Sequence, residues 1–218
     1  MKSFILCLMA LVLISCVEQG MTVQKAGCFP ASSQVMTPEG LKSMDALTEG
    51  DQVLGMRNGK EVFGKVKSWF HHETESYGEY LTVSIRGKSF QVSPKHNMAV
   101  EKRTAELGEN GFEYAFAEEV EGQSLFPAGK VDKVQKVRSL GVYAPRTDTM
   151  NYFIYLEGGQ ESVKVLAHAF AHIRNPQSFE FVVDSIEKAW NMFSPEASKE
   201  MIHPSVNWMQ ETFKFLQA

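Results

Sequence analysis

From residue 35 to 142 the apolar positions come in short or alternating runs, broken by turn signals at close spacing. Pro38-Glu39-Gly40 separates Val35-Met36 from the run that begins at Leu41, and Asn58-Gly59 separates the run at Val53 from the run at Val62. Asn-Gly is a strong hairpin dipeptide because both positions tolerate positive φ. Leu81, Val83 and Ile85 alternate with polar neighbours up to Arg86-Gly87, after which Phe90 and Val92 resume the pattern. Short strands joined by tight turns at this spacing predict a compact, mainly β domain, not a parallel sheet.

After about residue 160 the period changes. Phe179, Val182, Val183, Ile186, Ala189, Trp190 and Phe193 recur at steps of three and four, with Asn175-Pro176 available to start the segment. Ser194-Pro195 offers an N-cap and a first-turn proline for a second stretch, and Val206, Met209, Phe213 and Leu216 form another stripe. Residues 171–218 are therefore expected to form a small helical region. At the other end, Lys2 precedes an unbroken apolar run over residues 4–14 that closes on Ser15 and Cys16. This reads as a secretory signal peptide over residues 1–16, too short for the roughly 20 residues that cross a bilayer, and it implies a secreted, extracellular product. Leu13-Ile14-Ser15-Cys16 also has the form of a lipoprotein box, in which Cys16 would carry lipid.

Charge and cysteine content narrow the picture. The chain has 218 residues, 44% of them hydrophobic, enough for one sizeable core with an appendage. Its 22 basic and 26 acidic side chains give a net charge of -4, with neither sign gathered into a block, so no nucleic-acid partner is expected. Of three cysteines, Cys7 lies in the apolar run and Cys16 at its end, which leaves Cys28 alone in the folded body. A single thiol without a disulfide partner in a secretory protein raises the expectation of a reactive role, against the plainer reading of a leftover buried cysteine.

Gly27-Cys28-Phe29-Pro30 opens the β region, and Leu47-Thr48-Glu49-Gly50-Asp51-Gln52-Val53-Leu54 follows. Further on stand Val92-Ser93-Pro94-Lys95-His96 and Gly141-Val142-Tyr143-Ala144-Pro145-Arg146-Thr147. In order and spacing these blocks resemble the Hint domain of hedgehog-type autoprocessing proteins, including nematode hedgehog-like proteins. The resemblance implies a Hint (hedgehog/intein) fold over residues 28–170, a short segment 17–27 released by processing, and a helical adduct-recognition region over 171–218. It also implies that Cys28 attacks the carbonyl of Gly27, forming a thioester that a second nucleophile resolves. The residues themselves suit that chemistry. Attack on the preceding carbonyl closes a five-membered ring at very high effective concentration. The leaving nitrogen needs a proton, which His96 can donate with Ser93 orienting it. Gly27 removes the Cβ that would obstruct a strained backbone. No metal or organic cofactor is required.

The chain departs from the family pattern in three places. Ser93 replaces the usual threonine, which keeps the hydroxyl and loses the methyl that restrains its rotamer. His71, in Trp69-Phe70-His71-His72, stands where animal hedgehogs have an aspartate that activates sterol. A histidine can accept a proton near neutral pH, so His71 is a weaker candidate for activating the second nucleophile; the plainer reading of His71 and His72 is a pair of exposed loop histidines. Ala169 occupies the position of a second family cysteine. His168 and His172 are spaced i, i+4 and would share a helix face, as a metal pair or, more simply, as packed or solvated side chains. The expected partners are the chain itself and a sterol or other lipid alcohol as acceptor, with transient membrane contact through the aromatic C-terminal helices. Water as acceptor, giving a self-cleaving cysteine endopeptidase, and a catalytically idle secreted binding module are the alternatives.

Overall fold

The computed structural model describes residues 28–102, 111–157, 163–173 and 176. Among them the chain forms twelve strands: β1 (Gln34–Thr37), β2 (Gly40–Ser43), β3 (Gln52–Arg57), β4 (Lys60–Ile85), β5 (Lys88–Val92), β6 (His96–Glu101), β7 (Phe112–Phe116), β8 (Ser124–Leu125), β9 (Gly129–Lys130), β10 (Lys133–Thr147), β11 (Asn151–Tyr155) and β12 (Lys164–Ala171). Between Cys28 and Ile173 the helical elements described are two single 3-10 turns, Met44–Ala46 and Ala117–Glu119. The mainly β reading therefore holds. The predicted C-terminal helices, the signal peptide and the segment 17–27 with Gly27 lie outside the described residues.

The hairpins fall where the turn chemistry places them. Asn58 and Gly59, at φ 53° and 71°, join β3 to β4, and Arg86 and Gly87 make the same double positive-φ turn between β4 and β5. In β1 and β3 the period-2 alternation buries Val35 and Val53 and leaves Met36 and Leu54 only partly covered. One sheet runs β2-β1-β11-β12-β6-β8-β9 with β7 also on β6; the other runs β10-β4-β3 with β5 also on β4. All the pairings are antiparallel.

Two features depart from expectation. β4 continues for 26 residues, pairing with β10 from Lys133 to Thr147, so His71 and His72 sit on a strand and not in a loop. Its polar middle, exposed along much of its length, carries no apolar alternation to announce it. β12 is buried from Val165 to Ala171, so the alternation that identifies a half-buried strand is missing there too. The shared helix face expected for His168 and His172 therefore does not exist. His168 lies within β12, and His172 follows the strand at φ 62°. The Nδ1 of His168 accepts the amide hydrogen of Phe170 at 3.0 Å, and its ring meets the Tyr114 ring edge at 4.8 Å. No group of three or more His, Cys, Asp or Glu side chains among the described residues converges as a metal site would require.

Candidate active site

Cys28 begins the described chain and is 1% exposed. The segment after it runs alongside β10: the amide of Phe29 donates to the Tyr143 carbonyl at 2.8 Å, the amide of Tyr143 donates back at 3.0 Å, and the Ala31 amide reaches the Leu140 carbonyl at 3.1 Å. On the other side Cys28 meets the turn between β5 and β6. Its backbone N–H donates to the Ser93 hydroxyl oxygen at 2.7 Å, and the Ser93 N–H donates to the Cys28 carbonyl at 3.0 Å. The Cys28 backbone is thus pinned from both flanks.

The turn that supplies Ser93 also supplies His96. The His96 amide donates to the Ser93 carbonyl at 3.1 Å, closing a tight turn that aims both side chains inward. Both are buried, and the imidazole meets the Phe29 ring edge with centroids 4.5 Å apart. The three residues named from sequence as nucleophile, hydroxyl and proton donor are therefore brought together, although 65 residues separate Cys28 from Ser93. His71 stands elsewhere. It pairs with Ala144 across β4 and β10, is half-buried, and lies two strand spacings from the Cys28 segment, about 10 Å of backbone at the usual inter-strand distance. His72 is exposed, with its ring against Trp69 and Tyr143. Ala169 is buried, with its amide on the Met150 carbonyl at 2.8 Å.

Several residues in the site were not anticipated. Asn97, fully buried, donates from its side-chain amide to the carbonyls of Phe170 and Ile173, each at 3.0 Å, and so ties the residue after His96 to the end of β12. Two tyrosines, Tyr80 and Tyr152, share the buried apolar cluster with Cys28. Burial first, and then negative charge at Cys28, push the phenol of Tyr80 far above its ordinary value, with Glu73 and Tyr143 adding to the effect. The Tyr80 hydroxyl donates to the Gly141 carbonyl. The same two causes, in the same order, raise Tyr152. Tyr143 is raised mainly by burial and then by Asp45. Gly141, at φ 85°, marks the register shift between Leu140 and Val142; a Cβ there would stand 2.9 Å from that of Ala31, so only glycine lets the Cys28 segment lie this close to β10. The sequence signal for the tyrosines was present but unread: a phenol inside an apolar strand must find a use for its hydroxyl.

The family model described as the Hint module matches residues 17–175. The chain belongs to the Hint module family. Hint modules are self-splicing or autoprocessing units, and the hedgehog-type character expected from the sequence agrees with the relatives found. Warthog protein 8 of Caenorhabditis elegans is 31% identical over 134 residues, covering 55% of this chain and 24% of that protein. Protein qua-1 of the same organism is 23% identical over 192 residues, covering 78% of this chain and 16% of that protein. The Hint chain thus spans about a quarter or less of the length of these curated relatives. Among solved structures, a bacterial intein-like domain from Clostridium thermocellum superposes with a TM-score of 0.47 at 18% identity, covering 65% of this chain and 97% of that one.

Proposed function

We propose that this Hint module cleaves its own chain once, by an N-to-S acyl shift at Gly27-Cys28. As the Cys28 sulfur attacks the Gly27 carbonyl carbon its thiol proton passes to the His96 imidazole, the C–S bond forms, and the C–N bond to Cys28 breaks. The freed nitrogen takes a proton from His96, while Ser93 holds that nitrogen in place. The observation that carries the reading is the 2.7 Å hydrogen bond from the Cys28 amide, the nitrogen that must leave, to the Ser93 hydroxyl in a buried site beside His96.

Because an amide is more stable than a thioester, a second nucleophile has to take the acyl group irreversibly. A sterol or similar lipid alcohol is the proposed acceptor, with His71 as the base that activates it; water is the second reading and would make the module a self-cleaving cysteine endopeptidase. The apolar N-terminal run favours a route through the secretory pathway, and the aromatic residues of the C-terminal region would bring it to a membrane surface. The test is the mass of the peptide released from the full chain carrying a tag before Gly27, made with and without added sterol. A peptide ending at Gly27 with the mass of a sterol ester supports the lipid acceptor, and a free carboxylate supports water. An intact Gly27-Cys28 bond in folded protein under both conditions, even with a strong thiol present, leaves an idle binding module as the correct reading.

A further inference from the structure

Tyr152 sits in β11 with its side chain wholly inside the core. Its ring meets the Phe29 edge with centroids 5.9 Å apart, and Phe29 in turn meets His96. Cys28, Phe29 and Tyr152 belong to one apolar cluster. Among the described residues nothing exchanges a hydrogen bond with the Tyr152 hydroxyl. A hydroxyl buried in that state is less favourable than the bare ring of phenylalanine in the same place. Tyr80, in the same cluster, shows the ordinary solution, since its hydroxyl donates to a backbone carbonyl. Tyr152 does not escape by ionising: burial, reinforced by charge at Cys28, holds its phenol well above the usual value. Its hydroxyl therefore keeps its hydrogen and can donate it, within the apolar cluster that also holds Cys28.

Covalent geometry says where an acceptor arises. When the Cys28 sulfur attacks the preceding carbonyl, the attacked carbon is bonded at once to the nitrogen and the sulfur of Cys28. The electron pair of the C=O π bond becomes an oxyanion one bond further out. That oxygen is tethered to Cys28, which is itself buried, and where water is excluded a charge without a donor is costly.

Resting on the acyl-shift reading above, we propose that the Tyr152 hydroxyl is the hydrogen-bond donor to this oxyanion. No proton changes hands at Tyr152. It keeps its hydrogen while the C–S bond forms, and as the intermediate collapses the C=O bond is restored and the departing nitrogen takes its proton from His96.

The experiment follows dithiothreitol-induced release of an N-terminal tag from the full chain, with Tyr152→Phe as the variant. Removing one oxyanion donor slows enzymic acyl transfer by roughly 100-fold or more, and a loss of about that size is expected. Thermal unfolding of Tyr152→Phe, measured in a Cys28→Ala background so that no chain is cut, should be unchanged or raised, because a hydroxyl without a partner has been removed. Site-specific 3-fluorotyrosine at 152, a more acidic donor of nearly equal size, should restore the rate. A Tyr152→Phe rate equal to the parent's, with Cys28→Ala inactive, overturns the assignment and leaves the acyl shift standing. A slow Tyr152→Phe that unfolds at lower temperature and is not rescued by fluorotyrosine also overturns it, since that is the behaviour of a core residue. A parent chain that thiol does not cut removes both readings.

Discussion

Replacing Asn97 with alanine should loosen the molecule at the point where the site is fastened to the sheet. Its side-chain amide donates to the Phe170 and Ile173 carbonyls at 3.0 Å each, and the residue is fully buried, so no solvent stands ready to replace it. A neutral intramolecular hydrogen bond contributes about 1 kcal/mol net, and each buried group left without a partner costs about 1–3 kcal/mol. Two bonds lost together give an expected destabilisation of about 2–4 kcal/mol. Asn97→Asp should be worse, because a carboxylate presents oxygen to two carbonyl oxygens. The assay is urea unfolding in a Cys28→Ala background, where the chain stays whole, read as a fall in midpoint at constant slope. In the cleavage-competent chain the same variants should also process slowly, since His96 precedes Asn97 directly. An Asn97→Ala protein within about 0.5 kcal/mol of its parent refutes the reasoning, for then the two contacts hold nothing.

Ser93→Ala removes the hydrogen bond that the Cys28 amide donates and should slow thiol-induced release by roughly tenfold or more, with about 1–3 kcal/mol lost from stability, whereas Ser93→Thr should process like the parent; equal release rates for all three count against a role for the hydroxyl. His71→Ala should leave release by dithiothreitol intact and depress only resolution by the natural acceptor, and a fall in both rates would place His71 in the first step instead. Asp51 is held below its ordinary value, chiefly by its hydrogen bond with Lys42, and it accepts the Thr48 amide at 2.8 Å. Its contribution is therefore present above pH 3.8, the ordinary value, and is lost as pH falls through the lower folded one. Asp51→Asn should cost about 0.5–1 kcal/mol at pH 7, an amount that shrinks toward zero at strongly acid pH, and a cost that stays constant would show that charge is not involved.

Much of this architecture can be read before any coordinates exist, and the exceptions have physical causes. Asn58-Gly59 and Arg86-Gly87 declare their hairpins because few residue pairs accept two consecutive positive φ angles. The stretch of β4 around His71 stays hidden because a long ribbon exposed along much of its middle has no apolar face to show, and β12 because a strand buried on both faces has no polar one. Cys28, Ser93 and His96 are legible as ordered blocks, and the fold brings them together. Asn97 and Tyr152 are not, since what gives each its importance is a neighbour far away in sequence: the end of β12 for Asn97, the Cys28-Phe29 pair for Tyr152. Spacing alone paired His168 with His172, and spacing carries that meaning only on a helix.

The central claim is that a sulfur ester forms at Gly27. Hydroxylamine added to the folded, tagged chain converts such an ester to a hydroxamate on the C-terminal carboxyl of the released peptide, and mass spectrometry reads it directly. A Gly27 hydroxamate is expected from the parent and none from Cys28→Ala; the same fragment from both chains, or from neither, contradicts sulfur-ester formation.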